Sequence, residues 1–382
     1  MLDGKIVILQ VIGGLSMGGA ESRIMDILRR LDRNRFHYDF LLNEPPGFYE
    51  EEAERLGCRI FRTVGFKLVN RPQYEKQMRE FFAAHPEIDI VQAHSTNTAA
   101  LYLPIAKKAG IAVTMAHARS AGVEPGMKGW LKKRLRRHLA KKTDYCLSCS
   151  TEAGYAVFGE EAMRAGKVRL IPNAVNVDAY APTTSHVAEG RTLREKTGLE
   201  KQFVVGHVGR FHYAKNHMFL LKIFLELRRI RSDAMLLLVG EGELREEVEK
   251  AAEEMGLRRN VIFAGRQADP APWYQAMDVL VFPSHYEGLP GTVVEAQASA
   301  LPCLISDAIT KDVQVTELVK ALSLKESEKS WAEQAVALAE RFPRAERSAK
   351  LQYADQLREK GFDVNRQVHM LEEMYTEVLD RK

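Results

Sequence analysis

Residues 286–295 read Tyr286-Glu287-Gly288-Leu289-Pro290-Gly291-Thr292-Val293-Val294-Glu295. The apolar run at 277–284 predicts a short strand and the small residues at 292–299 predict a helix, so Glu287 falls on the connecting loop. The two glycines allow a ligand to approach the backbone closely, and free amides at the helix start attract an anion. Because Glu287 and Glu295 can bind hydroxyl groups, the stretch predicts a site for a ligand with both phosphate and hydroxyls, such as a nucleotide sugar. The alternative is an ordinary strand-to-helix turn with two solvated glutamates.

Length and composition are those of a soluble globular chain of about two domains, with 382 residues, 46% of them hydrophobic and 28% charged. The net charge of +4 is uneven, because residues 1–180 carry 27 of the 55 Lys and Arg but only 20 of the 51 Asp and Glu. No apolar run approaches the roughly 20 residues that span a membrane, and residues 1–5 lead directly into a predicted strand instead of a signal peptide. We therefore expect a cytoplasmic protein. Its net positive charge is expected to lie in the first half of the chain.

The cysteines Cys58, Cys146, Cys149 and Cys303 are too few and too scattered for a disulfide framework. Cys146 and Cys149 form a C-x-x-C pair, but the pair lies on a predicted strand. A redox pair needs a helix start, and a zinc site needs two further ligands, so we expect structural cysteines.

Strand and helix patterns alternate along the chain in two blocks, which predicts an α/β fold with two Rossmann-like parallel-sheet domains, residues 1–183 and 190–362. A polar, loop-like stretch at 181–191 is the predicted linker. Helices are also predicted at 330–341, 344–360 and 364–379. The strands are predicted at 5–11, 37–42, 59–61, 88–93, 111–116, 145–148 and 168–171 in the first block, and at 203–208, 234–239, 261–264, 279–282 and 302–305 in the second.

Two histidines follow predicted strands of the first block, at the sheet edge where such folds bind ligands. His94 follows the strand at 88–93, and His117 follows the strand at 111–116. Arg119 and a flexible Ser-Ala-Gly come directly after His117, which predicts that the ring is exposed in a loop. We expect a site role for His117, and for His94 a structural role is the stronger expectation.

The segment Met127–Lys142 concentrates cations without any acid. Apolar residues recur at helical spacing within it, which predicts one basic amphipathic helix. Such a helix suits an anionic membrane surface, where a tryptophan can lie at the interface. No nucleic-acid motif accompanies it, so we expect no nucleic-acid partner; an ordinary surface helix is the alternative. The residues expected on the membrane or acceptor side are Trp130, Lys132, Lys133, Arg136 and Arg137.

The first strand of the second block ends in a loop, residues 209–216, that carries Arg210 and Lys215 and opens a helix. Two cations and free amides there suit a diphosphate. No Asp-x-Asp occurs in the chain, so a magnesium-diphosphate clamp of that kind has no obvious carrier, and we expect neither a metal nor another cofactor. The glycine-rich turn at 13–19 lacks the G-x-G-x-x-G spacing of dinucleotide sites, which disfavours a nicotinamide site.

Five stretches occur in order and together cover most of the chain. They are Gly18-Gly19-Ala20-Glu21, Ile171-Pro172-Asn173, Val208-Gly209-Arg210 with Lys215, Leu238-Val239-Gly240-Glu241-Gly242, and the pair Glu287 and Glu295. This set of motifs resembles the family 4 retaining glycosyltransferases, which have the GT-B fold. The sequences at 211–217, 295–298 and 305–310 look most like those of the members that build bacterial exopolysaccharide or capsule repeat units.

The resemblance implies a role for each matching residue. Glu295 would hold the ribose hydroxyls, Arg210 and Lys215 the diphosphate, and His117 would touch the donor sugar near the reacting carbon. The backbone near Arg266 would meet the base. Glu287 with the turn after it would bind the donor sugar and phosphate, and the remaining donor-binding residues would be Gly18, Gly19, Gly209, Gly288, Leu289, Pro290, Gly291 and Thr292. The sequence departs from the family at Ala174 and Ala300, where glycine is usual.

The resemblance also implies two domains that face a central cleft, with residues 363–382 crossing back to the first, acceptor-binding domain. The implied activity is hexosyl transfer, with retention and without a metal, from a nucleotide-diphosphate sugar such as a UDP-sugar to a polyprenyl-diphosphate-linked or other saccharide. We therefore expect a peripheral protein on the inner face of the cell membrane. The alternatives are a nucleotide-sugar 2-epimerase of the same fold and a non-catalytic sugar-binding module.

Overall fold

The structure, a computed structural model, describes residues 4–122 and 126–381. The chain divides into two compact units. The first unit comprises the residues up to Asn173 together with those from Val364 onward, and the second unit is Ala174–Asp363.

The first unit is built on one parallel sheet in the order β3-β2-β1-β4-β5-β6-β7. Its strands are apolar on both faces, as in β1, where five of the six residues are buried, because helices cover both sides of such a sheet. The strands are β1 (Ile6–Val11), β2 (Phe36–Leu42), β3 (Ile60–Arg62), β4 (Ile90–Ala93), β5 (Val113–Ala118), β6 (Tyr145–Ser148) and β7 (Val168–Leu170). The helices between them are α1 (Gly19–Leu28), α2 (Glu50–Arg55), α3 (Arg71–Ala84), α4 (Thr96–Lys108), α5 (Met127–Leu135) and α6 (Thr151–Arg164).

The second unit repeats this architecture with a parallel sheet in the order β10-β9-β8-β11-β12-β13. The strands are β8 (Phe203–Val208), β9 (Ala234–Val239), β10 (Val261–Gly265), β11 (Val279–Phe282), β12 (Cys303–Ser306) and β13 (Val319–Leu322). The helices are α7 (Val177–Tyr180), α8 (Thr184–Thr197), α9 (His217–Ile230), α10 (Arg245–Glu254), α11 (Ala271–Ala276), α12 (Gly291–Ala298), α13 (Glu328–Arg341) and α14 (Gln352–Glu359). Helix α9 buries Leu220, Ile223, Phe224 and Leu227, a spacing that places them on one helical face against the sheet.

The final helix, α15 (Val364–Asp380), packs on the first unit. Its buried residues recur three and four positions apart, which is the spacing of one helical face. Glu372 accepts a 2.7 Å hydrogen bond from the backbone amide of Asp32. The Tyr375 hydroxyl lies 2.9 Å from that of Tyr38 on β2.

The predicted loop-like linker at 181–191 is wrong, because residues 184–191 form the first half of α8. The Thr183 side chain caps its start, and Gly198 ends it in the left-handed conformation with φ of 71°. Residues just before α8 also belong to the second unit, since Val175 donates a 2.9 Å hydrogen bond to the carbonyl of Phe362.

Two further expectations about the second unit differ from the structure. The helix predicted at 344–360 is broken into a 3-10 helix, Arg344–Ala349, and α14. Strand β13 was not predicted. Ala300, one of the two positions at which the sequence departs from the family pattern it resembles, adopts a left-handed backbone with φ of 54°, a conformation that favours glycine.

Candidate active site

Two loops of the second unit meet at the carboxyl edge of its sheet, residues 209–216 after β8 and residues 283–290 after β11. They meet because β8 and β11 are parallel neighbours. The Asn216 side-chain amide donates to the carbonyl of Pro283 at 3.1 Å. The backbone amide of His285 donates to the carbonyl of Ala214 at 2.8 Å. The rings of Tyr213 and His285 stack at 4.7 Å, so the two loops form one surface.

An ion pair joins two of the predicted site residues across these loops. The Lys215 ammonium lies 2.7 Å from a Glu287 carboxylate oxygen, and their side chains are only 16% and 15% exposed. The ammonium also lies 4.4 Å from the centre of the Phe282 ring, a favourable cation–π position. The cation is therefore held in one place and remains reachable from solvent.

Two glycines that follow β9, the strand next to β8, lie against the backbone of the loop that carries Lys215. A Cβ atom at Gly240 would lie 2.0 Å from the carbonyl oxygen of Gly209, and one at Gly242 would lie 2.4 Å from that of Phe211. Only glycine allows this close approach. Gly209 itself lies against Lys215, since a Cβ there would be 3.2 Å from the lysine Cε.

Arg210 and Arg266, which were predicted to bind the donor, do not join this pair. Arg210 is 70% exposed and pairs with Glu243 at 3.1 Å. Arg266 is exposed just after β10. The second unit therefore presents Lys215 in a half-buried setting and these two arginines at its surface.

Glu295, the second predicted carboxylate, is 8% exposed on α12. The hydroxyl of Tyr274, a fully buried residue of α11, donates to Glu295 Oε2 at 2.7 Å. Burial and the adjacent carboxylate raise the pKa of Tyr274 well above its usual value, so this hydroxyl stays a donor. Sequence reasoning missed Tyr274, because nothing in its local sequence marks a partner 21 residues away.

The turn between the two carboxylates is packed closely. Gly288, Leu289 and Pro290 are buried, whereas Gly291 and Thr292 are partly exposed at the start of α12. Pro290 precedes the helix without a side-chain cap, which leaves the first amides of α12 available to an anion.

In the first unit, Gly18 and Gly19 lie at the start of α1, beyond the carboxyl end of β1. Gly18 is the residue before the helix and has an extended backbone. The carboxylate of Glu21 lies over it, since a Cβ at Gly18 would be 2.2 Å from Glu21 Oε2. Gly19 is exposed and has open space around its Cα.

The predicted exposure of His117 is wrong. The residue lies within β5, which continues to Ala118 because His117 is in register with Leu147 of β6. Its side chain is 1% exposed and lies 3.3 Å from the amide of Gln92. Burial, and then the charge of Arg119, lower its pKa well below the usual range, so the ring is neutral. His94 is buried as well and hydrogen-bonds to Gln10 and Arg119, a structural position.

The predicted basic helix at 127–142 is shorter than expected. Helix α5 ends at Leu135, because His138 adopts a left-handed backbone with φ of 64° before a 3-10 turn at Leu139–Lys141. Arg136 is 6% exposed, so its predicted place on a membrane-facing surface is wrong. Trp130 is 61% exposed, and Lys133 and Arg137 are exposed as well; the Lys132 side chain lies outside the described residues.

The four cysteines are buried, as expected of structural residues. Burial raises the pKa of Cys146 to about 11, which makes it a poor nucleophile. Among the described residues, no helix is both long and apolar enough to cross a bilayer.

Comparison with known proteins identifies the family. Residues 17–179 match the model of Glycosyltransferase Family 4, and residues 202–341 match that of Glycosyl transferases group 1. EpsF of Bacillus subtilis, whose name assigns it to the glycosyltransferases, is 35% identical over 335 residues, which are 85% of this chain and 86% of EpsF.

Two further proteins are similar at a greater distance. The UDP-Gal:alpha-D-GlcNAc-diphosphoundecaprenol alpha-1,3-galactosyltransferase of Escherichia coli is 27% identical over 226 residues, 57% of this chain and 58% of that protein. The crystal structure of Anabaena Alr3699/HepE in complex with UDP has a TM-score of 0.77 at 18% identity and covers 98% of this chain and 100% of its own. The resemblance seen in the sequence is thus confirmed, and the chain belongs to the family 4 glycosyltransferases and has the GT-B fold.

Proposed function

We propose that this glycosyltransferase moves a sugar from a UDP-sugar to a lipid-linked saccharide, with retention at the anomeric carbon, in exopolysaccharide or capsule biosynthesis. The observation that carries the proposal is the half-buried Lys215–Glu287 pair beside the uncapped start of α12. A cation and free amides suit a diphosphate, and Glu287 and Glu295 suit sugar hydroxyls. The E. coli relative, named for a UDP-Gal donor and a diphosphoundecaprenol acceptor, supports this choice of substrates.

In the proposed reaction, one bond breaks at the leaving diphosphate and one bond forms to the acceptor. The bond from the anomeric carbon to the diphosphate breaks, and its electron pair stays on the phosphate oxygen. Lys215 and the amides of α12 stabilise that charge, an effect often worth about 3 kcal/mol per well-placed donor. The acceptor oxygen bonds to the anomeric carbon on the same face, and its proton passes to the leaving phosphate.

The two glutamates act as binding groups in this proposal. Glu287 is paired with Lys215, and Glu295 accepts from Tyr274. A glycosidase would need one free carboxylic acid and one free carboxylate on either side of the scissile bond. The occupied carboxylates therefore support transfer, and no relative reported above is an epimerase.

The direct test is mass spectrometry of purified protein with a panel of nucleotide sugars, with and without short polyprenyl-diphosphate saccharides. We expect the acceptor to gain the mass of one sugar, and we expect Lys215→Ala to abolish that gain. Lys222→Ala, an exposed lysine on α9, is the matched control. Interconversion of the donor alone, without release of the nucleotide, would contradict the proposal.

Association with an anionic membrane surface is the second part of the proposal. On α5, Met127 and Trp130 are 85% and 61% exposed, and exposed Lys133 and Arg134 accompany them. Leu68 and Val69, which are also exposed and lie beside Lys67, follow β3, the outermost strand of the same sheet. Exposed apolar residues among cations suit the boundary of an anionic bilayer.

Liposome flotation tests the membrane part. We expect the protein to float with vesicles that contain anionic lipid, and we expect replacement of Met127 and Trp130 by serine to reduce that fraction several-fold. Ile230→Ser, which removes an exposed apolar residue of the second unit, is the matched control. Equal flotation of all three proteins would contradict a membrane role for α5.

A further inference from the structure

The ring of Phe282 is a second anchor for the Lys215 ammonium, besides the Glu287 carboxylate. The ammonium lies over the face of the ring, 4.4 Å from its centre. Phe282 is the last residue of β11 and is fully buried. The lysine stem runs across Gly209, since a Cβ at that glycine would be 3.2 Å from Lys215 Cε and 3.4 Å from Cδ. A strand residue inside the second unit thus contacts the cation at its surface.

Three further rings hold Phe282 in place. His207 stacks on Phe282, with the ring centres 5.1 Å apart and the ring planes 18° apart. His217 meets His207 nearly at a right angle with the centres 4.7 Å apart, and Phe211 stacks on His217 at 4.3 Å. All four residues are at most 3% exposed. Rings packed so closely in an interior have little room to turn, so Phe282 presents its face to the lysine in one orientation.

This group of rings carries no charge that would repel Lys215. His207 Nδ1 lies 2.9 Å from the carbonyl of Val281, which can only accept, so Nδ1 carries the proton. Burial, with a smaller effect of the Lys215 charge, lowers the pKa of His207 to about 4. Burial is also the main reason that the pKa of His217 falls to about 2. Both imidazoles are therefore neutral near pH 7.

A ring face and a carboxylate hold an ammonium in different ways. The ring attracts the cation through its quadrupole and brings no net charge, whereas a carboxylate neutralises the cation that it binds. An ammonium has three N–H groups, and within the described residues Glu287 Oε1 accepts one of them. With a ring instead of a second carboxylate, Lys215 is anchored on two sides and keeps N–H donors for a bound anion.

We propose that Phe282 is a positioning residue, in which the electron-rich face of the ring, and not its bulk alone, holds the Lys215 ammonium where it meets the leaving diphosphate. The inference rests on the proposed function, because that function assigns the diphosphate to Lys215. Its first part, the place of the ammonium over the ring, is measured without any activity.

The place of the ammonium is tested by NMR of the full-length protein labelled with ¹³C at lysine Cε, with Lys215→Ala to assign the signal. We expect the ring current of Phe282 to move the Lys215 Hε signals upfield of those of the other lysines. Phe282→Leu should return them to the ordinary range. Phe224→Leu is the control, since Phe224 is fully buried in the core of the same unit.

The positioning role is tested by replacing Phe282 with phenylalanines that carry one, two and three ring fluorines. Each fluorine withdraws electron density from the ring face and nearly keeps the shape of the ring. We expect kcat for sugar transfer to fall with each fluorine, because the phosphate gains charge as the bond breaks. With three fluorines the fall should be about tenfold, which is about 1.4 kcal/mol and matches a partly shielded cation–π contact. The same series at Phe224 should leave kcat unchanged.

Each result decides one part of the inference. Lys215 Hε signals in the ordinary range in the unaltered protein would overturn the place of the ammonium. An equal kcat across the Phe282 series, with Lys215→Ala inactive, would overturn the positioning role and leave the proposed function standing. The fluorine series keeps this test valid even if Phe282→Leu does not fold. If the unaltered protein turns over no nucleotide sugar, the proposed function fails and the positioning role fails with it, whereas the NMR result still decides where the ammonium lies.

Discussion

Two cation–carboxylate pairs of the second unit, Lys215–Glu287 and Arg210–Glu243, differ chiefly in their exposure. The side chains of the first pair are 16% and 15% exposed, and those of the second are 70% and 48% exposed. Both cations follow β8 within seven residues, and the sequence suggested equal roles for them. A cation shielded from water interacts more strongly with a bound anion, because solvent screens an exposed charge. Burial, which sequence spacing does not reveal, therefore separates the two.

The largest expected effect is the loss of Lys215. Lys215→Ala should lower the rate of sugar transfer by about 100- to 1,000-fold, as removal of one preorganised donor commonly does. Initial rates with a saturating acceptor measure this. If Lys222→Ala lowered the rate as much, the effect would not be specific to the site.

Arg210→Ala should lower the rate of sugar transfer less, by about tenfold. The difference in rate between this variant and the unaltered protein should become smaller as salt is added. The same assay at low and high ionic strength measures the difference. A loss of rate equal to that of Lys215→Ala would contradict the argument that exposure separates the two cations. It would mean that Arg210 leaves Glu243 to bind the diphosphate.

The two pairs should also differ in their contribution to the free energy of unfolding. A double-mutant cycle for Lys215 and Glu287 should give a coupling energy of about 1.5 kcal/mol, because the pair is partly shielded from water. The cycle for Arg210 and Glu243 should give below about 0.5 kcal/mol. Urea unfolding of the single and double variants measures both, and equal values would contradict the argument from burial.

A smaller effect is expected at Glu295, which is buried and has a neutral partner. Tyr274→Phe removes the 2.7 Å hydrogen bond and should raise the KM for donor about threefold with little change in kcat. Tyr353→Phe, a hydroxyl bound to Glu317 in the same unit, is the control. A fall in kcat alone would place Tyr274 in the chemical step.

The smallest effect is expected for removal of divalent cations. If Lys215 supplies the positive charge for the leaving group, EDTA should leave the rate unchanged within error. Transfer measured with and without added Mg²⁺ checks this. A rate that depends on Mg²⁺ would assign part of that charge to a metal ion.

Most of the fold could be predicted because parallel sheets have a strong local pattern. The run 234–239 is apolar throughout and the run 203–208 is apolar except at Gly206 and His207, and the structure forms β9 and β8 there. Helix α8 was missed since its sequence is polar and only one narrow face packs; a Cβ at Gly190 would lie 2.4 Å from Gln275 Cβ. Basic residues at 127–142 suggested one long helix, and the left-handed turn at His138 ended it early.

The sequence by itself determined the family, the two-sheet architecture and the placing of Lys215, Glu287 and Glu295 near strand ends, because these depend on spacing within one or two neighbouring elements. The tertiary structure decided which side chains are shielded and which partners they meet. Tyr375 reaches Gln92 across 283 positions, and Arg136 is buried despite the basic residues around it in sequence. His117 is buried although Arg119 and Ser120 follow it closely. Burial and hydrogen-bond partners arise from contacts between elements distant along the chain, and no local pattern encodes them.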